Sequence, residues 1–285
     1  MYNFDAETGG SGKLVTQHSR LNFIRQNSNS LLMRIISYNV NGIRAAIRKG
    51  LMDWLKAADP DVLLIQETKA MQEQVDPAIL EASGYHHYFH SAEKKGYSGV
   101  AIFSKEEPDQ VVYGSGIDYA DREGRVLRAD FGDLTVMSLY VPKGEVGSPR
   151  LDFKMQFLAD FQQKMRELLQ ERPKVVIGGD YNICHREIDI HDPQRLSRVS
   201  GFLPMEREWV SGFLEEGFVD SFREFNQEPG NYSWWSYRGN ARANNKGWRL
   251  DYNMVSRDLS ESMSRAAILP DARHSDHCPV LLELN

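Results

Sequence analysis

The sequence predicts an α/β fold in which two strand-rich halves pack as face-to-face sheets with helices outside. Three observations lead there: short apolar runs end in turn residues, amphipathic stretches alternate with them, and the strand-rich halves are comparable in size. The chain has 285 residues, 41% hydrophobic and 26% charged, the balance of a globular protein with a substantial core. That length fits one large domain, because single cores grow to about 250–300 residues before chains split.

Residues 1–30 mix Asn, Gln, Ser and Gly, include the run Gly9-Gly10-Ser11-Gly12 and show no sustained periodicity. They read as a flexible leader or tag-like extension, with residues 31–285 as a single domain and Met33 as a candidate original start. Leu32 to Tyr38 is a buried strand, Ile43 to Ala58 is helical and stops before Pro60, and Val62 to Gln66 is the next strand. Further strands are expected at Tyr85 to His90, Gly99 to Ser104, Val126 to Phe131 and Leu134 to Tyr140. From Arg150 to Glu171, Leu151, Met155, Leu158, Phe161, Met165 and Leu168 recur at steps of three and four, an apolar stripe on a long helix that Pro173 ends. Val175 to Gly179, Arg249 to Val255 and Pro279 to Leu284 are strands of the second half, with a helix from Pro204 to Glu216. The lack of a short repeat excludes solenoids and propellers.

A net charge of −6 excludes a protein that grips nucleic acid with its whole surface, so any such contact must come from a local patch. An acidic total is compatible with carboxylates reserved for a cation. Two cysteines, Cys184 and Cys278, are too few for a disulfide framework and lack the spacing of a zinc site. No stretch approaches the roughly 20 apolar residues of a membrane span, and the leader has no apolar block of a secretory signal, so no membrane association and a cytoplasmic location are expected.

Polar residues stand where the apolar strands end: Tyr38-Asn39-Val40-Asn41-Gly42, Gln66-Glu67-Thr68-Lys69, Gly178-Gly179-Asp180-Tyr181-Asn182 and Ser275-Asp276-His277-Cys278-Pro279. A fifth segment, Gly247-Trp248-Arg249-Leu250-Asp251-Tyr252, opens a strand. Singly, each has a plain structural explanation: Glu67 as a cap or ion-pair partner, Asn39 and Asp180 as turn residues, Asp251 as a strand terminator, His277 as a packed histidine. Five such segments in one domain exceed what turns require. Carboxylates and amides at strand ends can converge on one rim and build an oxygen-rich metal site.

Asn39-Val40-Asn41-Gly42, Gln66-Glu67-Thr68-Lys69, Tyr140-Val141-Pro142, Gly179-Asp180-Tyr181-Asn182, the segment from Gly247 to Tyr252, and Ser275-Asp276-His277 together resemble, in order and spacing, the exonuclease III family of abasic-site endonucleases, in its bacterial branch. The resemblance runs from Met33 to the C-terminus. It implies a four-layer α/β sandwich of two mixed β-sheets with helices on the outside, in a monomer. It implies hydrolysis of the phosphodiester 5′ to abasic sites in double-stranded DNA, with 3′–5′ exonuclease and 3′-phosphatase action on blocked 3′ ends. Mg2+ is the implied cofactor, replaceable by Mn2+, as one or two ions. Glu67 is the implied metal residue, helped by Asn39, Asn41 and Asp276, with Asp180, Asn182 and His277 also within reach of an ion. Asp180, oriented by Asn182, would activate water; His277, held by Asp251, would meet a phosphate oxygen; Tyr140 would donate a hydrogen bond beside it. Lys69, Arg150, Trp234 and Trp248 would contact substrate, the tryptophans lining a pocket for an extrahelical sugar.

The chain departs from the pattern at Lys143, where many relatives have Asn or Gln, and at Leu196 and Val199, positions that are Asn in one branch. These departures bear on the balance among incision, exonuclease and phosphatase activities. Two alternatives share the same residues: a phosphoesterase acting on a lipid headgroup, and a catalytically silent nucleic-acid-binding protein on this fold.

Overall fold

A computed structural model of the chain describes residues 32–285; the extension expected over residues 1–30 lies outside the described residues. In chain order the strands are β1 (Met33–Asn39), β2 (Val62–Gln66), β3 (His86–His90), β4 (Val100–Ser104), β5 (Gln110–Tyr113), β6 (Val126–Phe131), β7 (Leu134–Tyr140), β8 (Lys174–Asp180), β9 (Phe218–Asp220), β10 (Asp251–Ser256), β11 (Met263–Ile268) and β12 (Val280–Leu284). The helices are α1 (Ile43–Arg48), α2 (Leu51–Ala58), α3 (Pro77–Ala82), α4 (Asp118–Asp121), α5 (Pro149–Glu171), α6 (Pro193–Leu196), α7 (Pro204–Glu215) and α8 (Ser221–Phe225).

The strands form two six-stranded mixed sheets, ordered β11-β12-β1-β2-β4-β3 and β5-β6-β7-β8-β10-β9. Each has one central parallel pair, β1 with β2 and β7 with β8, because helices carry the chain back between those strands. Every other pairing is antiparallel. The period of two along a strand sorts side chains into layers. Ile35, Leu64, Ile102, Val136, Val176 and Leu282 meet between the sheets. Their neighbours Ile36, Leu63, Ile65 and Phe103 turn outward under α1, α2 and α3. Met137, Leu139, Val175 and Ile177 turn outward under α5 and α7. Helices, sheet, sheet and helices thus make the four layers.

The apolar stripe of α5 packs as its periodicity requires, with Ser148 accepting from the backbone N–H of Arg150 and Pro149 opening the first turn. The helix expected from Ile43 to Ala58 is two helices. Gly50 adopts a left-handed φ of 94°, which breaks the run between α1 and α2. The strand expected from Arg249 begins instead at Asp251, since Trp248 makes only isolated bridges to Ile190 and Trp234. Strands β5, β9 and β11 were not expected; all lie at sheet edges, where short, half-polar segments carry little apolar signal.

Candidate active site

The C-terminal ends of the central parallel strands and the start of β10 reach one rim of the sandwich. Asn39 ends β1, Tyr140 ends β7, Asp180 ends β8, Asp251 begins β10, and Glu67 follows β2 directly. Register places Tyr140 opposite Asp180 and Asp180 opposite Asp251. The two glycines before Asp180 are required by packing: a Cβ on Gly179 would collide with the Leu139 carbonyl oxygen, and one on Gly178 would lie 2.5 Å from Leu64. Beneath this rim is a small polar layer in which Ser37 donates to Gln66, and Gln66 donates across the sheets to Ser138 at 3.0 Å. The inter-sheet space therefore grades from apolar core through neutral polar groups to the charged rim.

One nitrogen and several oxygens converge there. One carboxylate oxygen each from Glu67 and Asp180 and one ring nitrogen of His277 lie within 4.8 Å of one another. Asn39 Nδ2 donates to both carboxylates, at 2.9 Å to Glu67 and 2.8 Å to Asp180, while its Oδ1 accepts from the Asn41 N–H at 3.0 Å. The backbone N–H of Asn182 donates to Asp180 Oδ1 at 2.8 Å, and Asn182 Nδ2 donates to the Val141 carbonyl at 3.0 Å. Asp251 Oδ2 lies 2.9 Å from His277 Nδ1 and accepts from Ser233 Oγ at 2.6 Å; His277 Nε2 then faces Asp180 Oδ2 at 3.8 Å. Asp276 accepts from Asn41 at 2.8 Å and from the Trp234 indole at 3.0 Å. Lys69 pairs with Glu67 at 2.6 Å and also donates to Asn41. Asn41, Glu67, Lys69 and Asn182 all adopt left-handed φ without being glycine, a concentration of backbone strain in one cleft.

Electrostatics separate the roles. Burial works against a charged His277, but the carboxylates of Asp251 and Asp180 outweigh it and raise the imidazole, so it holds a proton at neutral pH. Burial, reinforced by Asp251 and Glu67 against the opposing His277, lifts Asp180 to about 7. Burial also acts upward on Glu67, yet Lys69 and Asn39 prevail and hold its carboxyl below the usual range. The same balance, with His277, Asn41 and Trp234 prevailing, lowers Asp276. Burial, with Glu67 and Asp180 beside it, raises Tyr140 far above the ordinary phenol, which keeps its O–H a donor. An acid near neutrality next to an imidazolium and a carboxylate that is ionised at neutral pH can accept a proton, stabilise an oxyanion and hold a cation, respectively.

The donor set suits a hard divalent cation. It is oxygen-rich, and the carboxylate of Glu67 already sits against an ammonium group, so it is ionised and shaped for positive charge.

Glu67, Asp180, Asn182 and His277 line a cleft of about 380 Å³ that also includes Asn41, Lys69, Tyr140, Trp234, Trp248 and Asp276, with Asn39 and Asp251 behind them. Trp234 and Trp248 meet edge to face, centroids 6.1 Å apart, as one wall. Of the residues expected in the site, Arg150 is not brought in. Its guanidinium pairs with Glu123 at 2.7 Å, donates to Tyr97 and stacks over Phe153, because the first turn of α5 faces that side. Of the three positions where the sequence departs from the family pattern, Lys143 and Val199 line the cleft, beside Ser200 and Gly201, while Leu196 packs into a buried cluster with Cys184, Ile190, Phe202 and Leu250. Two buried charge groups escaped the sequence reading. Arg249 pairs with Asp189 at 2.7 Å and Asp220 at 2.7 Å, with Arg223 joining Asp189. Lys154 pairs with Glu206. Arginine or lysine inside an otherwise apolar segment was the signal available for both.

Residues 36–277 match the Endonuclease/Exonuclease/phosphatase family, and the chain belongs to that family. It is similar to an exodeoxyribonuclease of Bacillus subtilis, 46% identical over 255 residues that cover 89% of this chain and all of the relative. A DNA repair nuclease of Danio rerio is 41% identical, with 88% of this chain and 82% of the relative covered. Among solved structures, an AP endonuclease from Archaeoglobus fulgidus superposes with a TM-score of 0.83 at 31% identity, covering 89% of this chain and 99% of that one. A Neisseria 3′ phosphatase bound to product DNA hairpin superposes with a TM-score of 0.82 at 30% identity, with the same coverage. The chain is accordingly an enzyme, a DNA repair nuclease of the exodeoxyribonuclease and AP endonuclease type.

Proposed function

We infer that this nuclease hydrolyses the phosphodiester 5′ to an abasic site in duplex DNA, and that it also trims 3′ ends and removes 3′-blocking phosphates, using Mg2+ or in its place Mn2+. The observation that carries this reading is the meeting of Glu67, Asp180 and His277 within 4.8 Å at the floor of a cleft walled by two tryptophans. A catalytically silent binding protein would have no need of that set, and an aromatic wall suits an extrahelical sugar.

In this mechanism Asp180 accepts the proton of the attacking water, with its lone pair aimed by the backbone N–H of Asn182. Burial raises its affinity for that proton to the range where a base works near neutral pH. His277, kept protonated by Asp251, offers Nε2–H to the phosphate oxygen that gains charge, and Tyr140 donates beside it. The ion, when bound, supplies Lewis-acid neutralisation of the phosphate. Glu67 would hold it, with Asn39, Asn41 and Asp276 within the same network. Lys69 supports phosphate binding at the cleft edge, and Trp234 and Trp248 support the sugar pocket. We take the enzyme to act as a monomer; its two buried free cysteines fit a reducing compartment, and no helix among the described residues is long and apolar enough to cross a membrane.

The test is a duplex carrying one tetrahydrofuran abasic analogue, incubated with Mg2+ or with EDTA. A nick 5′ to the lesion in the presence of Mg2+ alone is expected; no nick and no 3′ trimming would remove the reading.

A further inference from the structure

Helix α5 carries a lysine within its apolar stripe. Lys154 lies one turn before Phe157 and Leu158 and is fully buried. Its partner is Glu206 of α7, equally buried, with Nζ 2.6 Å from Oε1. Removing two charges from water is costly, and well-packed apolar side chains often serve stability better. The informative question is therefore where the remaining hydrogen bonds of the pair go.

Three of them go to the cleft wall, and the fourth, from the backbone N–H of Leu203, caps α7. Lys154 Nζ donates to the Asn182 carbonyl at 2.8 Å. Glu206 Oε1 accepts from Ser200 Oγ at 2.9 Å, and Oε2 accepts from the backbone N–H groups of Gly201 at 2.6 Å and Leu203 at 3.0 Å. Gly144 packs on the same group: a side chain there would collide with Ser200 Oγ and press on Leu151 and Lys154. A Cβ on Gly201 would in turn lie 3.0 Å from the Trp248 ring. Three chain segments far apart in sequence, at Lys143–Gly144, Asn182 and Ser200–Gly201, thus rest on one buried ion pair behind the cleft.

We propose that Lys154 and Glu206 are positioning residues of the hydrolase, Lys154 fixing Asn182 and through it Asp180, and Glu206 fixing the Ser200–Gly201 rim against Trp248. The inference rests on the reading of this cleft as the phosphodiester site. Its two halves have different kinetic signatures. Displacing Asn182 disturbs the group that activates water and lowers kcat, whereas loosening the rim weakens substrate binding and raises KM.

The experiment compares wild type, Glu206→Gln, Lys154→Met/Glu206→Gln and Ser200→Ala on the abasic-analogue duplex, with thermal melting recorded for each. In Glu206→Gln the glutamine carbonyl still accepts from Gly201 and Leu203, and an uncharged Lys154 amine still donates to Asn182, so kcat stays within about threefold. In the double variant the bond to Asn182 is gone, and kcat falls about tenfold or more below that of Glu206→Gln with KM little changed. Ser200→Ala keeps both charges paired and removes only the rim hydroxyl; KM rises about threefold at unchanged kcat. Equal kcat in Glu206→Gln and the double variant overturns the role of Lys154. A double variant that cannot fold while Glu206→Gln folds assigns Lys154 to the core alone and overturns it too. Unchanged KM in Ser200→Ala overturns the role of the rim. A wild-type protein that leaves the duplex intact refutes the reading of the cleft itself, an outcome separate from all of these.

Discussion

Replacing Asp251 with Asn tests the electrostatic core of the mechanism with almost no change of shape. The carboxylate lies 2.9 Å from His277 Nδ1, and His277 is 4% exposed. At an effective dielectric constant of about 20, unit charges at that separation attract by roughly 5–6 kcal/mol. That corresponds to about a 10⁴-fold change in proton affinity. Burial opposes the imidazolium, and with Asp251 neutral the support left to it is the carboxylate of Asp180, 3.8 Å from Nε2, and the smaller contribution of Asp276. The imidazole of Asp251→Asn should therefore lose its proton near or below neutral pH. Without a charged donor at the phosphate, kcat should fall by about 10²–10⁴. Stability should fall as well. His277 is raised in the folded state, so its protonation contributes stability that is fully present below the unfolded pKa and is lost as pH rises through the folded one. The variant should thus be most destabilised, relative to wild type, at mildly acidic to neutral pH. Among the described residues Asp251 Oδ1 has no hydrogen-bond partner, so an amide N–H placed there would be unsatisfied, adding about 1–3 kcal/mol. The assay is a pH titration of the His277 ring by NMR beside nicking rates at saturating duplex. An imidazolium that persists at pH 8 in Asp251→Asn, or a kcat within threefold of wild type, would refute the reasoning.

Other perturbations separate the remaining roles. Asp180→Asn should lower kcat by about 10²–10⁴ and leave duplex affinity nearly intact, checked by single-turnover nicking and fluorescence anisotropy; weakened affinity at normal turnover would contradict it. Because Asp180 must be ionised to accept a proton, and burial raises it to about 7, kcat/KM should decline as pH drops below neutrality, with a bound cation moving that decline to lower pH. Glu67→Gln should weaken Mn2+ binding, measured by calorimetry, by about 10-fold or more, since it removes the ionised carboxylate of the cluster. Asp189→Asn strips the shared partner from buried Arg249 and Arg223 and should cost about 3–5 kcal/mol, seen as a large drop in melting temperature at pH 7. The Asp189 carboxyl is held far below its ordinary range, because Arg249 and Arg223 outweigh its burial. Its contribution is therefore present at neutral pH and is lost only as pH falls through the acidic range.

Much of the layered fold was legible because its central strands are long apolar runs. Strands β1, β2, β7 and β8 alternate between two cores, so both of their faces are apolar and the sequence marks them. Edge strands β5, β9 and β11 satisfy half their backbone in solvent and leave no such mark. The break at Gly50 was ambiguous for a related reason, since a glycine inside a helical pattern costs only about 1 kcal/mol and need not end it. In the site, Glu67, Asp180, Asp251 and His277 were visible as polar residues at strand ends. Arg150 was expected in the site from the family resemblance, and the direction in which the first turn of α5 faces pairs it with Glu123 instead.

The sequence by itself determined which strands are central, which residues carry ionisable and aromatic groups at their ends, and therefore the family and its chemistry. That information is local, written in periodicity and in short motifs. What the tertiary structure alone decided is pairing across distance: that Asn39 bridges Glu67 and Asp180, that Asp251 holds His277, and that Lys154 and Glu206 meet behind the cleft. The physical reason is that a charge acquires its proton affinity and its role from neighbours within a few ångströms and from the water excluded around it. Strand register and sheet packing, acting over the whole domain, set both.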